Sequence, residues 1–345
     1  MRARGLSVLR VLGVASTYYV AANIDVFTSP LAGPISSLWI PTGVALACLV
    51  TFGLRNWTAL GIAIGALASS LPDLPASAAV LVTLGNTCAP VSAYLLLRLV
   101  GFREELDRLK DALSLVLLGA FAATTISATL GTVAIIGLTD QLDAGFLQVW
   151  AVWWSSDALG VLVVTPFILV LPRLRLARRV AWGRWLEMSI LLSATLAISV
   201  AATRSFGLLF LAFPLVILAA WRFQLPGVAP CTLIVSAVAI DAAAHGYGLF
   251  EGRTLLANIA ILQVFNGTIV LTGLLLAVVI TEWRSSRAAI EHTMARLSDA
   301  VDQLQGSMLS RPHYLMSLQN ISQVQKRTAT ERSAWTSAKP STERS

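Results

Sequence analysis

A succession of apolar runs, most of them near the length needed to cross a bilayer, occupies the greater part of this 345-residue chain. Hydrophobic residues make up 56% of it and charged residues only 12%, against about 25% charged residues in an average soluble domain. A transmembrane helix needs about 20 predominantly apolar residues. The composition therefore predicts an all-α, polytopic integral membrane protein with about ten transmembrane helices, within a range of about eight to ten. The runs lie at 6–24, 35–54, 57–72, 76–98, 112–138, 146–171, 185–203, 206–221, 225–245 and 255–281.

The positions of lysine and arginine predict the orientation of these helices. Loops on the cytoplasmic side carry an excess of basic residues. If the N-terminus is inside, only Arg204 and Arg253 lie on the outer side. The fourteen basic residues that then lie inside, before the tail, are Arg2, Arg4, Arg10, Arg55, Arg98, Arg103, Arg108, Lys110, Arg173, Arg175, Arg178, Arg179, Arg184 and Arg222. We therefore expect both termini to be cytoplasmic.

One acidic residue, Asp157, lies within the otherwise uncharged run Ala144–Leu171. A carboxylate at the centre of a membrane costs about 2.5–3.5 kcal/mol on insertion scales, so such residues are usually paired, buried or functional. Trp150, Trp153 and Trp154 fall on the same helical face as Asp157, at spacings of three and four residues. This face is expected to contact protein or a polar cavity rather than lipid.

Two further polar groups lie within other apolar runs. In the run 35–54, Trp39 and Thr42 are predicted to share a helical face, and Pro41 between them removes a backbone donor. In the run 76–98, the carboxamide of Asn86 needs hydrogen-bonding partners if it is buried. We expect Asp157 to be buried between helices. Its predicted polar partner is Asn86, Thr42 or a neighbouring hydroxyl group.

The composition becomes polar beyond residue 281. An amphipathic, coiled-coil type of helix is predicted over 282–311, because its apolar residues alternate four and three positions apart. They are Ile290, Met294, Leu297, Val301, Leu304 and Met308. Pro312 is expected to end or kink this helix, and 312–345 is expected to be a flexible tail, disordered from Lys326 onward. The chain is thus divided into a membrane domain at 1–281, a cytoplasmic signalling helix at 282–311 and a tail at 312–345.

Motifs of enzymatic chemistry are missing from the sequence. There is no P-loop, no dinucleotide-binding glycine pattern, no nucleophile elbow and no metal-ligand spacing of His and Cys. Cys48, Cys88 and Cys231 lie within apolar runs and are interpreted as packing thiols. We therefore expect no enzyme activity, no cofactor and no metal. The net charge of +7 is explained by the basic cytoplasmic loops rather than by binding of nucleic acid.

Several segments resemble the first class of bacterial membrane-associated sensor domains. The resemblance covers nearly all of residues 10–285, and WWSSDALGVLVVTP at 153–166 is its most specific segment. The others are SLWIPTGVALA (37–47), LGNTCAPVSAYLLLR (84–98), FPLVILAAWRF (213–223) and LTGLLLAVVITEWR (271–284). The resemblance implies a sensory input module of the bacterial inner membrane, placed ahead of histidine kinases, diguanylate cyclases or phosphodiesterases, and thus two-component or cyclic di-GMP signalling. It implies no catalytic residues.

The chain ends without the output domain that this family implies, so we expect a separate kinase or cyclase partner or a truncated chain. The hypothesis is that a ligand or bilayer stimulus acts on an intramembrane site and shifts the last span, 255–281, whose continuation reads out the change. Besides the lipid bilayer and an unknown small ligand, a second copy of the chain is a predicted partner through the seam at 290–308. The candidate ligand-binding residues are Trp39, Thr42, Asn86, Trp150, Trp153, Trp154 and Asp157.

Two other functions stay open. A small-solute transporter or substrate-capture subunit also suits an intramembrane acid, Pro-broken spans and indoles. Against a transporter, no repeat relates the two halves of the chain, and a transporter gains nothing from a heptad tail. A passive scaffold or assembly factor is the third hypothesis.

Overall fold

The computed structural model describes residues 2–28, 36–139, 145–176, 182–206, 208–309 and 312–337. Every regular element in these ranges is helical, and none of them is a strand. The first half of the chain forms α1 (Arg2–Thr28), α2 (Ile40–Phe52), α3 (Asn56–Ser70), α4 (Ala76–Leu99), α5 (Leu109–Ser114), α6 (Thr124–Leu138) and α7 (Phe146–Leu176). The second half forms α8 (Trp182–Ala201), α9 (Ala212–Phe223), α10 (Leu225–His245), α11 (Leu255–Leu309) and α12 (Pro312–Ser337).

Short helices of other types join these elements. A π-helix at Leu115–Ala122 connects α5 to α6, and a second π-helix at Ala202–Phe206 follows α8. Single 3₁₀ turns lie at Leu209–Leu211 and Gly248–Phe250. Together with the ranges above, they confirm the predicted all-α class for the described residues.

Six helical segments of the described residues are long and apolar enough to cross a membrane by length and composition. They are Ala76–Leu99, Leu109–Leu138, Phe146–Pro172, Trp182–Arg204, Leu225–Phe250 and Leu255–Gln305. Two more apolar helices, Ile40–Phe52 and Leu209–Phe223, are shorter. The chain is therefore a multi-pass membrane protein, and the count of ten spans stays a prediction.

Helix α2 begins later than its apolar run. Ile40 and Pro41 form its first turn, so Pro41 lies at the start of the helix and not in its interior. Proline is favoured at this position, where a backbone N–H has no intrahelical acceptor. Trp39 consequently precedes the helix and does not share a helical face with Thr42, contrary to the sequence prediction.

Glycines allow close contacts between α2 and α7. A Cβ atom at Gly43 would overlap the carbonyl oxygen of Gly160, and one at Gly160 would overlap the carbonyl oxygen of Trp39. The hydroxyl of Thr165 donates to the Gly43 carbonyl at 3.0 Å. Small residues at such positions let helix backbones approach in membranes. This contact places Thr42 against the middle of α7, where Asp157 lies.

The same device joins α1 to α3. A Cβ atom at Gly61 would lie 2.8 Å from the Cβ of Val14, and one at Gly65 would lie 2.8 Å from the Cβ of Tyr18. Tyr18 is thereby brought into the interior, where its side chain is fully buried.

Helix α11 packs on α9 and α10 in the second half of the chain. A Cβ atom at Gly273 would lie 2.7 Å from Val216 and 2.8 Å from Val228, which belong to α9 and α10. Phe213 and Phe265 add an edge-to-face ring contact, with centroids 6.1 Å apart. The absence of a side chain at Gly273 thus lets α11 pack closely against α9 and α10.

Two compact units make up the chain, Met1–Trp283 and Arg284–Ser345. The second unit holds the end of α11 and all of α12. Pro312 begins α12 where the sequence predicted a flexible tail, and the helix continues to Ser337. Since proline suits the first turn of a helix, and Leu, Met, Gln and Lys are good helix formers, a polar composition alone was a poor guide here. Residues 338–345 lie outside the described ranges.

The predicted seam lies on one side of the continuous helix α11. Among the seam residues whose side chains are described, each is at least half exposed within this chain. They are Ile290, Met294, Leu297, Val301 and Leu304. This apolar face is therefore largely exposed in the described part of the chain.

Candidate functional site

Asp157 is buried with no exposed surface and lies at the centre of a hydroxyl cluster. The hydroxyl of Thr42, from α2, donates to its Oδ1 at 2.7 Å. The hydroxyl of Ser127, from α6, donates to its Oδ2. Three helices are thus joined through one carboxyl group. A buried acid needs such donors because its desolvation is costly when they are absent.

Further contacts from α7 hold the segment before α2. The backbone N–H of Trp39 donates to the carbonyl of Ser156 at 3.2 Å, one residue before the buried acid. The Trp153 side chain also approaches the carboxyl group of Asp157. The start of α2 is therefore held against α7 by both backbone and side-chain contacts.

Two indoles of the predicted stripe contact α6, which carries Ser127, and the π-helix before it. Trp150 donates its Nε1–H to the hydroxyl of Thr129 at 3.0 Å. Trp154 donates its Nε1–H to the carbonyl of Phe121 at 2.9 Å. The two rings are stacked, with centroids 5.9 Å apart and planes inclined by 6°. Both polar tips are thus used between helices.

Trp153 fills a different space on the same face. A Cβ atom at Gly131 would lie 2.6 Å from two of its ring carbons, so the glycine makes room for the indole on α6. The stripe therefore faces protein, as the buried acid required. It packs against α6 and the preceding π-helix.

The carbonyl that accepts from Trp154 belongs to the π-helix. Within it, the N–H of Ala123 bonds to the carbonyl of Leu118, five residues back instead of four. Single π-helical turns within helices are rare and are often found at functional sites. The carbonyl of Phe121 accepts the indole proton at this point. No pattern in the sequence signalled this π-helix.

A second polar cluster adjoins the first. The Tyr18 hydroxyl lies next to the side chains of Trp39 and Asn86 and within electrostatic reach of Asp157. None of these three side chains forms a hydrogen bond of good geometry with another described residue. Asn86 was a predicted partner of Asp157, yet no hydrogen bond joins them. Its neighbour is Tyr18.

Sequence reasoning missed Ser127 and Tyr18. Ser127 is one of several hydroxyl residues in its run, and Tyr18 is one of two adjacent tyrosines in the first run. Neither position stands out, because local spacing does not show which hydroxyl reaches a distant acid. Both residues carry a hydroxyl near the middle of an apolar run, which is the one sequence signal that they share.

Helix α11 is hydrogen-bonded to the segment before α2 and to α5, which leads through the π-helix into α6. The Gln263 side chain donates to the carbonyl of Ser37, just before α2, at 3.0 Å. Nineteen residues further along the chain, Glu282 accepts the backbone N–H of Leu109 at 2.9 Å. Leu109 begins the α5–π–α6 segment that carries Ser127. The carboxylate lies where the partial positive charge of a helix N-terminus favours it.

Metal chemistry has no candidate centre in the described part of the chain. No group of three or more His, Cys, Asp or Glu side chains lies close enough there to hold an ion. The hydroxyl and indole groups around Asp157 bind by hydrogen bonding and shape. The hydrogen bonds of Asp157 hold α2, α6 and α7 together around a buried polar cluster.

The fold and the buried cluster define a multi-pass helical membrane domain, and comparison with known families assigns its class. The family model MASE1 matches residues 9–284. The chain belongs to the MASE1 family, whose members are sensory membrane domains rather than catalytic ones. No curated protein and no solved structure matches the chain.

Proposed function

We propose that this protein is a sensory input module for bacterial signal transduction, in which a ligand or bilayer stimulus acts around Asp157 and α11 carries the response to the cytoplasm. Membership of the MASE1 family supports the sensory role. The module would reside in the inner membrane with both termini cytoplasmic, and a kinase or cyclase would be its output. The candidate ligand-binding residues Trp39, Thr42, Asn86, Trp150, Trp153, Trp154 and Asp157 stay assigned to this input site.

One observation supports the relay: α11 is hydrogen-bonded to segments that lead directly into α2 and α6, the helices that donate to Asp157. The hydroxyl donors to Asp157 come from α2 and α6. The contacts of α11 are to the segment before α2 and to the start of the segment that leads into α6. A displacement of α2 relative to α6 therefore changes the two points at which α11 is held.

The size of the response is limited by binding energetics. A ligand shifts an equilibrium between two arrangements only by the difference in its affinity for them. The hydroxyl donors to Asp157 supply such a difference, because a ligand that competes for the carboxyl group weakens its link to α2 or α6. A cluster of a few hydrogen bonds is a suitable switch, since each contributes about 1 kcal/mol net.

The readout is proposed to be a weak coiled-coil pairing of two copies through the exposed seam. Fewer than three heptads of seam are marginal in water, and methionine at a seam position specifies pairing weakly. Two copies anchored in one membrane meet at high effective concentration, which favours the pairing. A pairing of this marginal strength changes register readily.

Single-cysteine cross-linking in membranes tests both parts of this proposal. The native thiols are first replaced with Cys48→Ala, Cys88→Ser and Cys231→Ala. Cysteines at Leu297 or Leu304 on the seam should then cross-link between copies, whereas one at Ala300, off the seam, should not. Equal cross-linking at all three positions, or none at any, would rule out the dimer.

The relay is tested by repeating the measurement with changes at its ends. Asp157→Leu and Glu282→Gln should each alter the ratio of cross-linking at Leu297 and Leu304. The first removes the acceptor that α2 and α6 share, and the second removes the negative charge at the N-terminus of α5. The matched control is Glu187→Gln, an exposed acid paired with Arg222. A ratio unchanged by Asp157→Leu would disprove the relay, even if the dimer forms.

A further inference from the structure

A groove of about 270 Å³ lies between α8 and α10, and none of its lining residues belongs to the Asp157 cluster. Most of its wall is apolar. Leu196 and Val200 come from α8, and Ile234 and Val238 come from α10. The two residues of each pair are four positions apart, so each pair lies along one face of its helix. The groove therefore follows the two helices lengthwise.

The two helices run in the same direction beside this groove. Thr195 of α8 contacts Cys231 of α10, with 3.7 Å between the hydroxyl oxygen and the sulfur. Further along both segments, the Arg204 guanidinium lies over the ring of Tyr247, 5.6 Å from its centroid. The later residues of the two segments thus meet at the same end of the groove.

Two opposite charges line the groove at that end. Arg204 belongs to the π-helix after α8, and Asp241 lies about one turn before the end of α10. From Ile234 to Asp241 the groove is about 10 Å long, at a rise of about 1.5 Å per residue. Arg204 is also the last residue of the apolar segment Trp182–Arg204, which is long enough to cross a membrane. The charged end of the groove therefore lies at the level of lipid headgroups.

Two rings hold these charges in place. The Tyr247 ring below Arg204 is stacked on His245, with centroids 5.5 Å apart and planes inclined by 9°. Nδ1 of His245 in turn lies 3.3 Å from Oδ1 of Asp241. Both charged residues are in the described part of the chain, yet they form no ion pair with each other. A molecule that carries both charges can therefore contact each of them.

The lining of the groove selects an amphiphilic molecule with two opposite charges. A guanidinium is well suited to phosphate, to which it donates two parallel hydrogen bonds. An ionised carboxylate only accepts hydrogen bonds, so Asp241 suits a cation with N–H donors, such as a primary ammonium group. The apolar walls favour a hydrocarbon chain. A phospholipid with an ethanolamine headgroup combines these three parts.

We propose that the groove between α8 and α10 binds a phosphatidylethanolamine-type lipid. Its phosphate contacts Arg204, its ammonium group contacts Asp241, and one acyl chain lies between the apolar walls. The π-helix at Ala202–Phe206, which carries Arg204, fits this role because such turns are rare and frequent at functional sites. This lipid site is separate from the input site at Asp157, and its test does not depend on the relay.

Native mass spectrometry of the purified full chain measures the binding of individual lipids. Dioleoyl phosphatidylethanolamine, phosphatidylcholine and phosphatidylglycerol form a matched set with identical chains. The choline group is a cation without N–H donors, and the glycerol group has no cation. Phosphatidylethanolamine should bind about three- to five-fold more tightly than either, the effect of one exposed charge pair. Equal binding of phosphatidylcholine would refute the ammonium contact, and equal or tighter binding of phosphatidylglycerol would refute the choice of a zwitterion.

Substitutions of the charged residues assign the headgroup contacts. Arg204→Gln should weaken all three lipids by about three- to five-fold, because all three carry a phosphate. Asp241→Asn should weaken phosphatidylethanolamine alone, to the level of phosphatidylcholine. The matched controls are Arg253→Gln and Glu251→Gln, which remove the same charges from exposed residues of the turn after α10 that do not line the groove. Equal losses with the controls, or an equal loss of all three lipids with Asp241→Asn, would overturn the assignment.

The apolar part of the groove has a test of its own. Ala237 lines the groove, and Ala237→Trp places an indole where the acyl chain is proposed to lie, so it should weaken all three lipids by at least about five-fold. Val264→Trp, at an exposed position of α11, is the control for the added bulk. Glycerophosphoethanolamine, the same headgroup without chains, should bind at least about ten-fold more weakly than the lipid. A free headgroup that binds as tightly as the lipid, or unchanged lipid binding after Ala237→Trp, would overturn the lipid site.

Discussion

At the scale of single residues, Asp157 illustrates how a membrane interior accommodates an acid without a basic partner. Its two oxygens accept from hydroxyl groups of two different helices, and the surrounding packing excludes water from it. Ser127 also lies 2.9 Å from the carbonyl of Thr124 in its own helix, while Thr42 has the carboxyl group as its acceptor. Loss of the acid is therefore expected to affect Thr42 more than Ser127.

A double-mutant cycle measures this link. Thr42→Val and Asp157→Leu should each lower the free energy of unfolding by about 1–3 kcal/mol, because each leaves a buried partner unsatisfied. The double variant should lose less than the sum, by about 1 kcal/mol, since neither group is then left alone. Reversible unfolding in mixed micelles gives these values.

The control for the cycle is Thr195→Val. Thr195 is buried like Thr42, but its hydroxyl donates to the Leu191 carbonyl in its own helix at 2.7 Å. Its effect should add to that of Asp157→Leu. Additive effects for Thr42 as well would contradict an energetic link between Thr42 and Asp157.

At the scale of elements, the contact of α2 with α7 depends on backbone atoms at close range. The atoms that an added methyl group would meet at Gly43 and Gly160 include carbonyl oxygens of the neighbouring backbone, which cannot rotate away as a side chain can. The same contact places Thr42 and Trp39 at the site. The geometry of the site therefore depends on the close packing of α2 against α7.

Gly160→Ala is therefore expected to lower the free energy of unfolding by about 1–3 kcal/mol, the usual cost of overpacking. Gly13→Ala in α1 and Gly137→Ala in α6 are matched controls, because no atom lies within 4 Å of a Cβ added there. They should be neutral or stabilising by up to about 1 kcal/mol, since alanine favours helix over glycine. Equal destabilisation by all three variants, in thermal unfolding of the detergent-solubilised protein, would argue against a close α2–α7 contact.

At the scale of the whole molecule, the distribution of basic residues predicts which end of each helix faces the cytoplasm. Of the Arg and Lys residues assigned to loops before the tail, only Arg204 and Arg253 fall on the predicted outer side. Both lie near the C-terminal end of α10. Arg253 follows this end in the sequence, and the Arg204 guanidinium lies over the ring of Tyr247, two residues beyond it. This end of the membrane domain is therefore expected to face outward.

Labelling with a membrane-impermeant maleimide tests that orientation. In the chain without native thiols, Glu251→Cys should react in intact cells, because residue 251 lies in the exposed turn between α10 and α11. Ala300→Cys, in the continuation of α11, should react only after the membrane is permeabilised. The opposite pattern would invert the topology and move the proposed signalling helix outside.

Much of this protein was predictable from properties that are local in the chain. The apolar runs predicted an all-helical membrane domain because every backbone polar group must be satisfied within the bilayer. Trp150, Trp153, Trp154 and Asp157 share one helical face by their spacing. This face was predicted to contact protein because a carboxylate facing lipid is costly. Local chemistry was misjudged at two prolines. Pro41 lies in the first turn of α2 rather than between two helical residues, and Pro312 begins α12 where a flexible tail is predicted.

Only the tertiary structure decided which groups meet. Thr42 and Asp157 are 115 residues apart in sequence, and Ser127 is 30 residues from the same acid. Hydropathy and helical period show that a buried acid needs donors, but many hydroxyls in the apolar runs meet that description. The choice among them follows from steric fit, such as the approach of α2 to α7 at Gly43 and Gly160, and it depends on all the helices packing at once.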